Sequence, residues 1–257
     1  MTQIIHIVLL TVLGGVVSAS VAAIFLLLSS QWRTRLLPHL ISFATGALLA
    51  AALLALLPEA LDAVAGEWES IGLTLLIGLL IFFVLEKLLL WRHCHADHCE
   101  VHAPTDQHRA ATAGGLILVG DGLHNFLDGL LIAGAYLVEP GLGIATAIAV
   151  FAHEIPQEIG DLAILLEGGY SRRRALVWNL LVNALTVVGG VLGVVVLRST
   201  PDWLPYVITL AAAGLLYIAI ADLIPSLHRR TDPKTMVAQV LLIIAGIAVI
   251  MLTHEWL

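Results

Sequence analysis

Eight long apolar runs leave this 257-residue chain few ways to fold. They cover Ile4–Leu28, His39–Glu59, Ile71–Trp91, Ala110–Val138, Gly141–Leu166, Ala175–Leu197, Trp203–Pro225 and Met236–Thr253. Crossing about 30 Å of hydrocarbon takes roughly 17–25 apolar helical residues, and every run meets that length. Lipid offers no partner for open backbone groups, so each run is expected to be helical. The alternation that marks a transmembrane barrel is absent. Composition agrees: 60% of residues are hydrophobic and 12% charged, against about 45–50% and about 25% in soluble domains. The expected fold is an all-α integral membrane protein with eight transmembrane helices, one domain over residues 1–257. The first run is too long for a signal-peptide core and lacks a basic leader, so it reads as the first span.

Lys and Arg set the orientation. With the N-terminus outside, Arg33, Arg35, Lys87, Arg92, Arg109, Arg172, Arg173, Arg174, Arg229, Arg230 and Lys234 fall inside, and Arg198 alone falls outside. Both termini are then outside, as expected of a multi-pass protein of the cell (inner) membrane. The net charge of −7 says little about nucleic acid, but the basic residues act as topology signals and form no single face to grip phosphates, so no nucleic-acid partner is expected. A short echo links Ala55-Leu56-Leu57-Pro58, ending the second run, with Ala221-Asp222-Leu223-Ile224-Pro225, ending the seventh. It suggests an inverted repeat of helices 1–3 and 6–8 around helices 4–5.

The polar residues carry the functional signal. An acidic residue at a helix centre costs about 2.5–3.5 kcal/mol to insert. The fourth run nevertheless reads Gly120-Asp121-Gly122-Leu123-His124-Asn125-Phe126-Leu127-Asp128-Gly129, and the fifth His153-Glu154-Ile155-Pro156-Gln157-Glu158-Ile159-Gly160-Asp161. At helical spacing Asp121, His124, Asn125 and Asp128 share about 100° of arc, and His153, Glu154, Gln157, Glu158 and Asp161 about 140°. The short connection Glu139-Pro140-Gly141 makes the two runs antiparallel neighbours, so the stripes can meet at one depth. Imidazole, carboxylate and amide donors suit zinc or a similar first-row divalent ion better than Ca²⁺. The set His124, Asn125, Asp128, His153, Glu154 and Gln157 carries −2 with neutral imidazoles, the charge that balances one such ion. Asp121, Glu158, Asp161 and, in the sixth run, Asn183 are accessory candidates. The bland alternatives are helix–helix hydrogen bonding and a proton path without metal.

Residues 92–109 form a loop that this topology places in the cytoplasm. His93, Cys94, His95, His98, Cys99 and His102 make it a metal-holding composition. A structural disulfide is not expected in a reducing compartment.

These motifs resemble the ZIP (Zrt/Irt-like) family of metal transporters along the whole chain. The resemblance is carried by His124-Asn125-Phe126-Leu127-Asp128-Gly129 and His153-Glu154-Ile155-Pro156-Gln157-Glu158-Ile159-Gly160-Asp161. It implies a ZIP-type bundle and transport of zinc, with iron, manganese or cadmium as further substrates, toward the cytoplasm by alternating access. It also implies that His124, Asp128, His153 and Gln157 face one metal, and Asn125, Asp128, Glu154 and Gln157 a second, with Asn183 an addition. Gln157 stands where the family commonly has His or Glu. No cofactor is expected, since the metal is cargo. The expected partners are that ion, the bilayer and a second copy in a homodimer. The enzyme alternative, an intramembrane zinc protease, needs His-Glu-x-x-His on a helix. Gln157 replaces the second imidazole, so no enzymatic activity is expected.

Overall fold

The computed structural model describes residues 2–64, 66, 68–94, 106–167, 169–228 and 233–256. Among them there is no strand. The helical rods are α1 (Thr2–Phe25), α2 (Ser30–Ala63), α3 (Trp68–Cys94), α4 (Asp106–Val138), α5 (Pro140–Glu167), α6 (Arg172–Leu197), α7 (Pro201–Leu227) and α8 (Pro233–Trp256). Six of them, α1, α2, α3, α6, α7 and α8, are long and apolar enough to cross a membrane. α4 and α5 are the two that carry the polar stripes.

The helices overrun the apolar runs. α2 starts at Ser30 where hydropathy places the boundary at His39, α3 continues to Cys94, and α4 starts at Asp106. Hydropathy marks where lipid contact ends, whereas the hydrogen-bond ladder of a helix continues into water wherever no residue breaks it. α5 continues through Pro156 to Glu167.

α5 is central. It packs against α4, α1 and α6 on one side and against α2 and α8 on the other. This divides the molecule into a set formed by α1, α4, α5 and α6 and a set formed by α2, α3, α7 and α8. Small residues bring the helices close, as in other membrane bundles. A side chain on Gly129 would run into the Thr186 carbonyl of α6, and one on Gly189 into the Phe126 carbonyl of α4. The α2–α8 contact uses Gly46 and Gly246 in the same way. The core of the second set is rich in alanine, including Ala44, Ala47, Ala51, Ala211 and Ala212. Outward faces stay apolar: Leu73, Leu76 and Leu80 of α3 and Val237, Leu241 and Ile244 of α8 are exposed. That is the pattern of helices solvated by lipid.

Three rods contain π-helical stretches: Leu13–Val17 in α1, Ala51–Leu56 in α2 and Ile218–Leu223 in α7. In α2 and α7 the stretch is six residues long and a proline, Pro58 or Pro225, follows its end by two positions.

Candidate metal centre

Only Glu139 separates α4 from α5, and Pro140, with its fixed φ and missing N–H, starts the second helix. The hairpin fixes the relative register of the two stripes. His124 and Asp128 are successive turns of α4, and His153 and Glu154 lie side by side on α5. His153, Glu154 and Asp128 are buried, and the His124 side chain is 18% exposed.

One donor atom from each of these four residues converges on a common point. The two Nε2 atoms of His124 and His153 are 3.3 Å apart. His124 Nε2 lies 3.7 Å from Asp128 Oδ2 and 3.5 Å from Glu154 Oε1. His153 Nε2 lies 3.4 Å from each of the same oxygens. A tetrahedron with zinc–ligand distances of about 2.0–2.1 Å has edges of about 3.3–3.4 Å. The five separations fall at or slightly above that edge.

The two imidazoles are the ion-pair partners of the Asp128 and Glu154 carboxylates. Asp128 Oδ2 and both carboxylate oxygens of Glu154 are buried with no hydrogen-bond partner, a costly state for a carboxylate unless a cation compensates it. His153 Nδ1 is 3.2 Å from the Ala149 carbonyl. A proton on Nδ1 donated to that carbonyl turns the Nε2 lone pair toward the other three donors, a common arrangement for a metal-binding imidazole. With neutral imidazoles the four residues carry −2.

The other sequence candidates are placed nearby but differently. The Asn125 amide donates to Asp121 Oδ1 at 2.9 Å and to the Asp121 carbonyl at 3.2 Å, and its Oδ1 accepts from Thr186 at 2.8 Å. Gln157 Nε2 reaches Asp121 Oδ1 at 3.4 Å. Both amides thus engage Asp121 rather than the four-donor point. Asp121, Glu158 and Asp161 form a second group, one oxygen of each lying within 4.8 Å of the others. Asn183 donates to Glu158 Oε1 at 2.8 Å, and Asn179 to Glu158 Oε2. Asn179 and Thr186 were not among the sequence candidates. Their signal is the spacing of Asn179, Asn183 and Thr186, at i, i+4 and i+7 in an apolar run, which puts three polar groups on one face. Of the loop donors, His95, His98, Cys99 and His102 lie outside the described residues, and His93 and Cys94 are described only as backbone in the last turn of α3.

Residues 91–254 match the family model described as ZIP Zinc transporter. The chain is 30% identical to "Zinc transporter ZIP13" of Gallus gallus over 285 aligned positions, which cover 89% of this chain and 77% of that protein. It is 34% identical to ZIP13 of Pongo abelii over 84% of this chain and 66% of that one. The match to "Zinc transporter ZIP10" of Danio rerio, 34% identical, covers 55% of this chain and 18% of that longer protein.

Proposed function

The chain belongs to the ZIP family of zinc transporters, and from that premise we propose how its residues hold and move the ion. It is a multi-pass membrane protein that transports a divalent metal, with zinc as cargo rather than cofactor, and it is not an enzyme. In our reading the ion binds between α4 and α5, to His124, Asp128, His153 and Glu154, and passes toward the cytoplasm. The observation that carries this is the convergence of four donor atoms, separated by 3.3 to 3.7 Å, with carboxylate oxygens that no hydrogen bond uses. Asn125 and Gln157 then act at one remove, fixing Asp121 beside the ion.

The same reading has all eight rods crossing the bilayer, with both termini outside. The distribution of Lys and Arg supports it. So does the burial of polar α4 and α5 within a ring of apolar helices, where charged groups are tolerated. The inverted repeat gains support from the paired π-helical stretches before Pro58 and Pro225.

The test is zinc uptake into liposomes holding purified protein, with iron, manganese and cadmium as competitors. His153→Ala and Glu154→Ala should abolish uptake in protein that still inserts. Near-normal uptake by both variants would sink the assignment.

A further inference from the structure

The centre just described uses neither Asp121, Glu158 nor Asp161, although these three carboxylates are grouped within 4.8 Å of one another. Asp121 is 6% exposed and Glu158 is fully buried, while Asp161 is half-buried. No Lys or Arg occurs between Arg109 and Arg172, and the two imidazoles of the hairpin, His124 and His153, belong to the four-donor centre. Like charges this close cannot all be ionised without a cation. Packing does not account for the group either, because the Asp121 Oδ2 atom is buried with no hydrogen-bond partner. Its companion Oδ1 is held from two sides by the amides of Asn125 and Gln157, which fixes the carboxylate plane. Glu158 is likewise gripped at both oxygens by Asn179 and Asn183, and the amide oxygens of those two asparagines are themselves buried without partners.

We propose that Asp121, Glu158 and Asp161 form a second divalent-cation site, made of oxygen donors only, through which the transported ion passes next to the imidazole-bearing centre. The proposal rests on the reading of the α4–α5 hairpin as the metal path. The position follows from helix geometry. Glu158 is one turn beyond Glu154, a rise of about 6 Å, and Asp121 is about 4.5 Å before His124. Both steps lead away from the Glu139 connection and therefore in the same direction through the bilayer. Half-buried Asp161, a further turn along, forms the mouth. The chemistry differs from that of the first site. Carboxylates and amide oxygens without imidazole suit harder ions such as Mn²⁺ and hold zinc less firmly. An ion moving between the sites changes its ligands from nitrogen and oxygen to oxygen alone. A weaker neighbouring station gives it a place to be released, since conduction needs binding strong enough to enter and weak enough to leave.

The test is titration of purified full-length protein with ¹¹³Cd²⁺, followed by NMR. Cadmium bound to thiolates, to mixed imidazole and carboxylate, and to oxygen alone resonates in separate ranges, so Cys94 and Cys99 do not interfere. The native protein should show an oxygen-only signal. Asp121→Asn combined with Asp161→Asn should remove it and keep the mixed signal. His124→Ala combined with His153→Ala should do the reverse. In liposomes the carboxamide variant should lower the maximal rate of zinc uptake about fivefold, with half-saturation changed by less than about twofold. Should the double carboxamide variant lose both signals, Asp161→Asn alone, at the half-buried position, must still weaken the oxygen-only one. An oxygen-only signal missing from the native protein, or persisting in the carboxamide variants, overturns the proposal. A native protein with the oxygen-only signal and no mixed one defeats the four-donor centre and supports this site.

Discussion

The two helix sets differ in the polar side chains they bury, since among the described residues those of the first set alone add hydrogen bonds between helices. In α1, α4, α5 and α6 the buried polar residues include Asp121, Asn125, Asp128, His153, Glu154, Glu158, Asn179, Asn183 and Thr186. Several of their hydrogen bonds cross between helices, from Thr186 to Asn125, from Asn183 to Glu158 and from Gln157 to Asp121, while Thr11, Ser18 and Thr146 of the same set donate to carbonyls of their own helices. Among the described residues of α2, α3, α7 and α8 the buried polar ones are Ser42, Thr45 and Thr209, and each donates to a carbonyl of its own helix. One set is therefore positioned by directional bonds between helices, the other by alanine packing. Directional bonds fix donor atoms to fractions of an ångström, as a metal site requires. Close packing supplies rigidity and no chemistry.

Substitutions can separate these roles. The largest effect is expected from Asp128→Asn, which removes a charge from a desolvated ion site and should lower zinc uptake about 100-fold or more. Leu48→Ala, at a fully buried position of the apolar set, should instead cost about 2–5 kcal/mol of stability. Uptake by the folded fraction should keep its half-saturation concentration. A large rise in half-saturation for Leu48→Ala would break the division.

Asn183→Leu comes next. It strips a donor from buried Glu158 and should destabilise the protein by about 1–3 kcal/mol, read as an earlier thermal transition in detergent. Gln157→Leu should shift the half-saturation for zinc less than about threefold, under 1 kcal/mol, because the amide engages Asp121 rather than the ion. A tenfold rise would return Gln157 to the ligand set that the family resemblance implies. The smallest effect is a matched pair. Thr186→Val loses a bond between helices and should cost about 1 kcal/mol, whereas Thr209→Val loses only a bond back to its own helix and should be near neutral. Equal transition temperatures for the two variants would remove the distinction between the sets.

These contrasts also explain what the sequence made legible. His124, Asp128, His153 and Glu154 could be read as one cluster because helical spacing fixes each stripe and Glu139-Pro140-Gly141 fixes their register. Spacing alone could not direct Gln157. It shares a face with His153, but its longer side chain carries the amide past that point to Asp121. Asn179 shares a face with Asn183 and Thr186, but amides in an apolar run read as ordinary helix–helix glue until their partner, Glu158, is seen. α2 starts nine residues before its apolar run because Trp32, Arg33 and Arg35 lower the hydropathy without breaking the helix. The division into two helix sets was not legible at all. It depends on α5 passing between them, and no local pattern encodes that.

The π-helical stretches in α2 and α7 bear on how this chain should be aligned with its relatives. A stretch with i→i+5 bonds absorbs an additional residue inside a continuous helix, leaving the segments on either side facing as they would without it. A relative lacking one residue between Phe43 and Pro58, or between Ala213 and Pro225, would therefore keep the same faces with an ordinary α-helix there. Gaps in an alignment belong inside these two helices as naturally as in the loops. The same gap between His124 and Asp128, or between His153 and Gln157, would turn the donors by about 100° and dismantle the site.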